Sequence, residues 1–157
     1  MQFEYFQLID RIVAIDLAGR TIRTETRVPS TSTIFEGHFP GHPLMPGALL
    51  IEAMAQTAGW LIIAATDFTR MPFLASVKQA KLRRFVSPGQ LLSLSAALLH
   101  EGSGFAVATA EAAVEGQPVC DGEITFRVLD FPNPEFRDRM QERAARIAFP
   151  LGAPANG

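Results

Sequence analysis

Residues 48–66 read ALLIEAMAQTAGWLIIAAT, and this stretch decides the fold. It contains neither proline nor a basic residue, and its length and its alanine, leucine and methionine content favour a helix over a strand. Because the helix would be apolar on nearly every side, it should be buried on nearly every side. Glu52, Gln56 and Gly59 interrupt the run, and a carboxylate in a lipid-exposed span costs ~3 kcal/mol on insertion scales. A buried helix is therefore favoured over a membrane span.

Strand-like runs flank this helix on both sides. Turns rich in glycine, proline and serine separate neighbouring runs, and such short connections favour antiparallel pairing. The order of elements fits an α+β fold in which one long central helix is wrapped by a curved antiparallel sheet. The far side of the helix would still need a cover, and a second copy of the chain is the simplest candidate. The predicted strands are 6–16, 21–28, 73–86, 90–101, 104–115 and 118–129.

The C-terminal segment has a different pattern. Asn133 is a good helix cap, Pro134 suits the first helical position, and Glu135 favours the positive end of a helix. We therefore predict an amphipathic helix at about 134–148, followed by a loose end from 150 to 157. The expected organisation is one domain at 1–131 and a C-terminal extension at 132–157.

Composition restricts the class of protein. The chain has 157 residues, of which 48% are hydrophobic and 19% charged, and this is typical of one globular domain. The formal net charge of −2 argues against nucleic acid as a partner. Cys120 is the single cysteine, so the chain has no intramolecular disulfide and no cysteine-built metal site. The first residues lack the basic start and apolar core of a signal peptide, so we expect a cytoplasmic protein.

A short basic run interrupts this acidic chain. The only two lysines, Lys78 and Lys81, lie beside Arg83 and Arg84, and four of the seven residues from 78 to 84 are basic. Such a run is either a solvated face or a docking patch for an acidic partner. Strand alternation would place Lys81 and Arg83 on one face and Arg84 on the other.

Glu52 is the anomaly of the central helix. An unpaired buried carboxylate is costly, so the group is either a structural carboxyl with a hydrogen-bond partner or a carboxylic acid kept protonated at neutral pH. A protonated carboxyl is able to donate a proton. Gln56 lies four residues further on the same face, where it would orient that carboxyl.

Two further groups lie just before the helix. His38 and His42 flank a rigid Phe-Pro-Gly loop, and a metal site of His38, His42 and Glu52 is a weak alternative because the prolines prevent the helical His-x-x-x-His geometry of zinc sites. Gly47 lies in the first helical turn, where its N–H has no intrahelical partner and would stabilise negative charge on a carbonyl oxygen. A base, an acid and an oxyanion site together fit removal of a proton next to a carbonyl, with loss of a hydroxyl one carbon further along.

The run at 35–56, FEGHFPGHPLMPGALLIEAMAQ, closely resembles the signature of bacterial β-hydroxyacyl-acyl-carrier-protein dehydratases of the FabZ type. The resemblance covers about residues 5–129 and includes KLRRFVSPG at 81–89. It implies the hotdog fold, in homodimers that also form trimers of dimers. It also implies that His38 and Glu52 meet from opposite subunits and that the Gly47 backbone binds the thioester carbonyl.

The resemblance implies dehydration of 3-hydroxyacyl-acyl-carrier-protein to the trans-2-enoyl thioester. His38 and Glu52 would be catalytic, Gly47 and Gln56 would bind substrate, and the patch of Lys81, Arg83 and Arg84 would dock the carrier protein. No metal or resident cofactor is expected, because the phosphopantetheine arm arrives on the carrier, and neither is membrane insertion. Alternatives are a non-catalytic carrier-binding module, a hotdog thioesterase and a dehydratase/isomerase, although the last branch typically has aspartate at the position of Glu52.

Three segments indicate a finer assignment. FEYFQLIDR at 3–11, MPFLASV at 71–77 and EGSGFAV at 101–107 look like a branch devoted to very-long-chain acyl groups of lipid A in some α-proteobacteria. The family's tyrosine near the tunnel mouth is replaced around Pro72–Phe73. We therefore expect the gating of chain length to differ from that of the wider family.

Overall fold

Six antiparallel strands form one curved sheet around a single long helix. The computed structural model describes residues 1–150. A 3₁₀ turn at Phe3–Tyr5 precedes the first strand. The remaining elements are, in chain order, β1 (Arg11–Asp16), β2 (Thr21–Arg27), α1 (Thr33–Gly37), α2 (Gly47–Ala65), β3 (Arg70–Leu82), β4 (Leu91–Gly102), β5 (Phe105–Val114), β6 (Gln117–Asp130) and α3 (Pro134–Arg146).

The strand order is β1-β2-β4-β5-β6-β3, and every neighbouring pair is antiparallel. This confirms the predicted α+β hotdog arrangement of a helix wrapped by a sheet. The predicted first strand, 6–16, begins only at Arg11, because Phe6 ends the 3₁₀ turn in a left-handed conformation and Gln7 forms an isolated bridge with Gln2. The predicted strand at 73–86 spans Arg70–Leu82, and the helix α1 was not predicted. Ser32 starts α1 by accepting a hydrogen bond from the Ile34 N–H.

The strands that face α2 differ in the size of their inward side chains. On β4 the buried side chains are mostly leucines, whereas the inward positions of β5 are alanines at 106, 108, 110 and 112. Small side chains let the helix axis approach the middle of the sheet, while the leucines fill the space beside it. The result is a helix with twelve of its nineteen residues buried.

Part of the cover on the far side of α2 comes from the same chain. The Trp60 ring lies 5.6 Å from the Phe149 ring, and Ala144 and Ile147 belong to the core. The Ile147 carbonyl accepts a hydrogen bond of 2.7 Å from the Ile12 N–H, which ties the C-terminal segment to β1. The C-terminal segment of the same chain therefore supplies part of this cover, and a second copy as a further cover stays a prediction.

The helix α2 also has the length and composition of a membrane span. Of its most apolar window, however, 67% is buried inside the fold. This burial against the sheet is typical of the core helix of a globular domain. The other long helix, α3, begins as predicted, with Asn133 accepting a hydrogen bond of 2.8 Å from the Phe136 N–H. It ends at Arg146. The domain boundary at 131/132 stays a prediction, and residues 151–157, predicted to be loose, lie outside the described residues.

A buried pair of threonines joins α2 to the sheet and provides a test of the packing. The Thr24 and Thr57 hydroxyls lie 2.9 Å apart, and Thr57 also donates to the Ala53 carbonyl. We expect Thr57→Val to lower the free energy of unfolding by about 1–3 kcal/mol, because the Thr24 hydroxyl would stay buried without its partner. Denaturant unfolding measures this cost. The double variant Thr24→Val/Thr57→Val should cost less than Thr57→Val alone, and a larger cost would contradict the assignment.

Candidate active site

His38 is held in one orientation by the backbone of Leu44. Its Nδ1 lies 3.0 Å from the Leu44 carbonyl oxygen, and the Leu44 N–H donates to the His38 carbonyl at 3.0 Å. Because a carbonyl oxygen only accepts, Nδ1 carries the hydrogen, and the neutral imidazole has its lone pair on Nε2. The ring also stacks on Phe39, with centroids 4.1 Å apart. His38 is therefore a half-buried imidazole with one nitrogen available as a base.

Glu52 and Gln56 form a hydrogen-bonded pair on one face of α2. The Gln56 Nε2 donates to the Glu52 carboxyl at 3.2 Å and to the Phe6 carbonyl at 2.9 Å. The Gln56 Oε1 accepts from the Leu8 N–H at 3.0 Å. Gln56 thus fixes the position of Glu52 and anchors the N-terminal segment. Glu52 is half-buried rather than fully buried, so it combines a hydrogen-bond partner with access to a cavity.

A cavity of about 370 Å³ opens beside this pair, and we call it the Glu52 cavity. Its buried floor includes Trp60, Ile63 and Phe126. Tyr5 and Phe6, which are 75% and 56% exposed, mark its mouth. Among residues 1–150, Glu52 and Arg143 are the only charged members of the lining, which is otherwise dominated by apolar side chains. Such a cavity suits an apolar chain that carries a few polar atoms near one end.

Gly47 begins α2 directly after the cap residue Pro46. No acceptor within residues 1–150 binds its N–H, so this donor is available at the positive end of the helix dipole. A Cβ atom at Gly47 would meet the end of the exposed Leu82 side chain, which would have to shift. The predicted oxyanion donor thus has the required free hydrogen.

The single chain does not bring all predicted catalytic groups into one cavity. The Glu52 cavity contains Glu52 and Gln56 but neither His38 nor Gly47. Within residues 1–150, no three His, Cys, Asp or Glu side chains cluster in a way that would hold a metal ion. The alternative metal set of His38, His42 and Glu52 is therefore not assembled in this chain.

The basic patch of Lys81, Arg83 and Arg84 differs from the predicted strand face. Since β3 ends at Leu82, strand alternation does not separate Arg83 from Arg84, and that expectation was wrong. Both arginines line one shallow recess and donate their backbone N–H groups to the Val119 carbonyl.

The three cations of the patch also differ in their pairing with carboxylates. Arg83 bonds Asp121, and this hydrogen bond raises the pKa of the guanidinium and lowers the pKa of the carboxyl. Arg84 contacts only the neutral Gln117 amide, at 3.3 Å, and no carboxylate within residues 1–150 forms an ion pair with Lys81. Arg84 is therefore the most available cation, whereas Lys81 lies opposite Asp121 across the β3–β6 pair and its charge also lowers the pKa of that carboxyl.

Sequence reasoning missed the contribution of α3 to the Glu52 cavity. Met140 and Arg143 both line it. Residues three apart lie on one face of a helix, but the amphipathic pattern gave Arg143 no role. No local pattern, however, indicates that this face meets the helix carrying Glu52.

Comparison with known proteins agrees with this geometry. The family model of the FabA-like domain matches residues 2–123. The 3-hydroxyacyl-[acyl-carrier-protein] dehydratase FabZ of Caldicellulosiruptor saccharolyticus is 36% identical over 124 residues, covering 78% of this chain and 88% of that protein. The FabZ protein of Listeria monocytogenes is 34% identical over 128 residues, covering 81% and 88%.

Solved structures share the fold at lower identity. A conserved protein of Pseudomonas aeruginosa has a TM-score of 0.62 at 23% identity, covering 80% of this chain and 91% of its own. The dehydratase heterocomplex ApeI:P of Xenorhabdus doucetiae has a TM-score of 0.59 at 17% identity, covering 87% and 90%. These two structures support the fold alone, whereas the family model and the curated relatives confirm the resemblance drawn from residues 35–56. The chain belongs to the FabA-like family and is a relative of its FabZ-type 3-hydroxyacyl-acyl-carrier-protein dehydratases.

Proposed function

We propose that this chain dehydrates 3-hydroxyacyl thioesters carried by acyl carrier protein, giving trans-2-enoyl thioesters in fatty acid biosynthesis. The observation that carries the proposal is the fixed tautomer of His38, which leaves Nε2 free as a base. The same chain holds the Glu52 carboxyl by a hydrogen bond from Gln56. His38 takes the proton from C2, and the electron pair forms the C2–C3 double bond. Glu52 gives its proton to the departing 3-hydroxyl, which leaves as water.

Gly47 has a third role in this proposal. As the C2 proton leaves, negative charge develops on the thioester carbonyl oxygen, and the Gly47 N–H donates to that oxygen. Gln56 acts by orienting Glu52. The chain's own side chains supply every proton transfer, so we propose that no metal or cofactor is required and that the phosphopantetheine arm is part of the substrate.

We further propose that the working unit is a cytoplasmic homodimer, with His38 of one subunit facing Glu52 of the other. Supporting this is the absence of His38 and Gly47 from the Glu52 cavity of the single chain. The aromatic mouth of that cavity, at Tyr5 and Phe6, is exposed in the single chain and suits coverage by a partner. Assembly into a trimer of dimers remains part of the proposal.

The specialised branch is proposed on the three segments that resemble it. Two of them line the Glu52 cavity, through Tyr5 and Phe6 in the first and Met71, Pro72 and Leu74 in the second. Incubation with carrier-bound 3-hydroxyacyl chains of graded length, followed by mass spectrometry for the loss of water, tests both the dehydratase activity and the preference for very long chains. No dehydration at any length would reject the activity, and a preference for short chains would reject the very-long-chain assignment.

The basic patch gives a prediction about the carrier protein. We expect Arg84→Glu/Lys81→Glu to raise KM for the carrier-bound substrate more than it lowers kcat, because complementary surface charge mainly speeds association. The effect should shrink as salt rises, since salt screens exposed charges. Steady-state kinetics at two ionic strengths measures both trends.

Two controls accompany this experiment. Arg70→Glu reverses a charge at the opposite end of β3 and should leave KM nearly unchanged. A thioester analogue without the carrier should be processed equally by the patch variant and the wild type. If the analogue loses as much activity as the carrier substrate, the patch acts on the fold or the site and does not dock the carrier.

A further inference from the structure

One wall of the Glu52 cavity is formed by α3, which lies beyond the residues matched by the FabA-like model. The helix is anchored at both ends. The Arg137 Nε donates to the Phe68 carbonyl at 3.1 Å, and the Ile147 carbonyl accepts from Ile12. Met140 and Arg143, which line the cavity, are therefore presented by a helix whose position is fixed.

Arg143 has an unusual environment for an arginine. A guanidinium carries five N–H donors, and none of those of Arg143 has an acceptor within residues 1–150. Its Nη2 atom is fully buried, whereas the other guanidinium nitrogens are not, so a ligand oxygen would reach the group through those nitrogens. Burial lowers the pKa of this guanidinium, the cation of Arg146 lowers it further, and only the carboxylate of Asp10 opposes them. An unpaired, partly desolvated guanidinium is unfavourable in the free protein, and an acceptor would relieve it.

The side-chain amide beside the acid is already engaged. Both hydrogens of the Gln56 amide are donated, to Phe6 and to Glu52. Glu52 itself accepts one of them. Arg143 is therefore the charged donor in the cavity that still lacks an acceptor. An unsubstituted hydrocarbon chain gains nothing from such a group, whereas a ligand oxygen would accept a charge-assisted hydrogen bond.

We propose that Arg143 is a substrate-binding residue whose guanidinium donates to an oxygen of the hydroxyacyl thioester in the Glu52 cavity. The C-terminal helix thereby becomes part of the substrate site. This inference rests on the proposed function for the class of ligand. The substrate has oxygen atoms in two places, the hydroxyacyl group and the amides of the pantetheine arm, and both offer the same acceptor chemistry.

The test measures binding without turnover. The probes are 3-hydroxyacyl amides in which nitrogen replaces the thioester sulfur, built on a short cysteamine-type arm or on full pantetheine. We expect Arg143→Met to weaken binding by about 10- to 100-fold, as for loss of a hydrogen bond to a charged group. Arg143→Lys should recover part of the affinity. Arg139→Met, which removes an exposed arginine of the same helix that pairs with Glu135, should bind like the wild type.

Thermal unfolding separates binding from a structural role. Because the Arg143 side chain makes no hydrogen bond within the described residues, Arg143→Met should not lower Tm in the absence of ligand. An equal loss of affinity for both probes assigns the acceptor to the hydroxyacyl group, and a loss confined to the pantetheine probe assigns it to the arm. Wild-type affinity of Arg143→Met for both probes, or a marked fall in Tm, would overturn the proposal. Absence of turnover by the wild type would reject the dehydratase activity alone, because these probes report binding.

Discussion

Replacing His38 with alanine, or Glu52 with glutamine, is expected to lower kcat by at least ~100-fold, the usual scale for general acid–base catalysis. The alanine removes the Nε2 lone pair that the Leu44 carbonyl leaves free. The glutamine keeps the shape of the side chain at position 52 but has no acidic proton. Steady-state kinetics with a 3-hydroxyacyl carrier-protein substrate measures both effects.

Matched controls exist close to each residue. His42 belongs to the same loop, is exposed, and has no side-chain hydrogen bond within residues 1–150, so His42→Ala should keep near-normal turnover. Glu36 is an exposed carboxylate of α1, and Glu36→Gln should likewise be neutral. Near-normal turnover by a folded His38→Ala or Glu52→Gln protein would remove that residue from the mechanism.

Mixing the two inactive chains is expected to restore activity. In a dimer with one His38→Ala chain and one Glu52→Gln chain, one site carries both substitutions and the other carries neither. Random pairing of equal amounts makes half of the dimers mixed, so about a quarter of the wild-type activity should return. Unfolding and refolding the chains together, followed by kinetics, measures the recovery.

The control for this rescue is formation of the mixed dimer itself. Different affinity tags on the two chains allow the mixed species to be isolated before the assay. Chains that both carry Glu52→Gln should give no recovery under the same treatment. An isolated, stable mixed dimer without activity would show that each site lies within one chain, and the proposed sharing of His38 and Glu52 would fail.

The central helix and the approximate positions of the strands could be predicted because both depend on local patterns, whereas the pairing of β2 with β4 and of β6 with β3 could not. An apolar run of nineteen residues without proline has few alternatives to a buried helix, and turn residues mark the ends of the strands. The five-residue helix α1 escaped prediction because it is too short for a helical period to appear. The limit of β3 was also missed. A register shift lies between Lys78 and Lys81, and Gln79 there has a φ of 53°. This irregularity breaks the strand alternation from which the faces of the basic patch were predicted.

Residue types in the site and the local pair of Glu52 and Gln56 could be predicted, but the partners distant in sequence could not. The sequence indicates His38, Glu52 and Gly47 because each is unusual at its place in the chain. The contacts that give them a chemical state are distant, such as Gln56 with the Phe6 carbonyl or Arg83 with Asp121. Such pairs depend on the path of the whole chain, and neither spacing nor composition contains that information.

The reciprocal contact between His38 and Leu44 has a consequence for how this loop is able to change. Both hydrogen bonds use the backbone of Leu44. They therefore depend on the path that brings Leu44 next to His38, and not on the side chains of the residues between the two. Substitutions at the exposed positions 42 and 43 should leave the imidazole in place wherever the backbone path is kept, whereas Gly41, at a φ of 71°, is required by the turn. An insertion or deletion of a single residue would carry the carbonyl out of reach of Nδ1. In this part of the protein, length is constrained more strongly than side-chain identity.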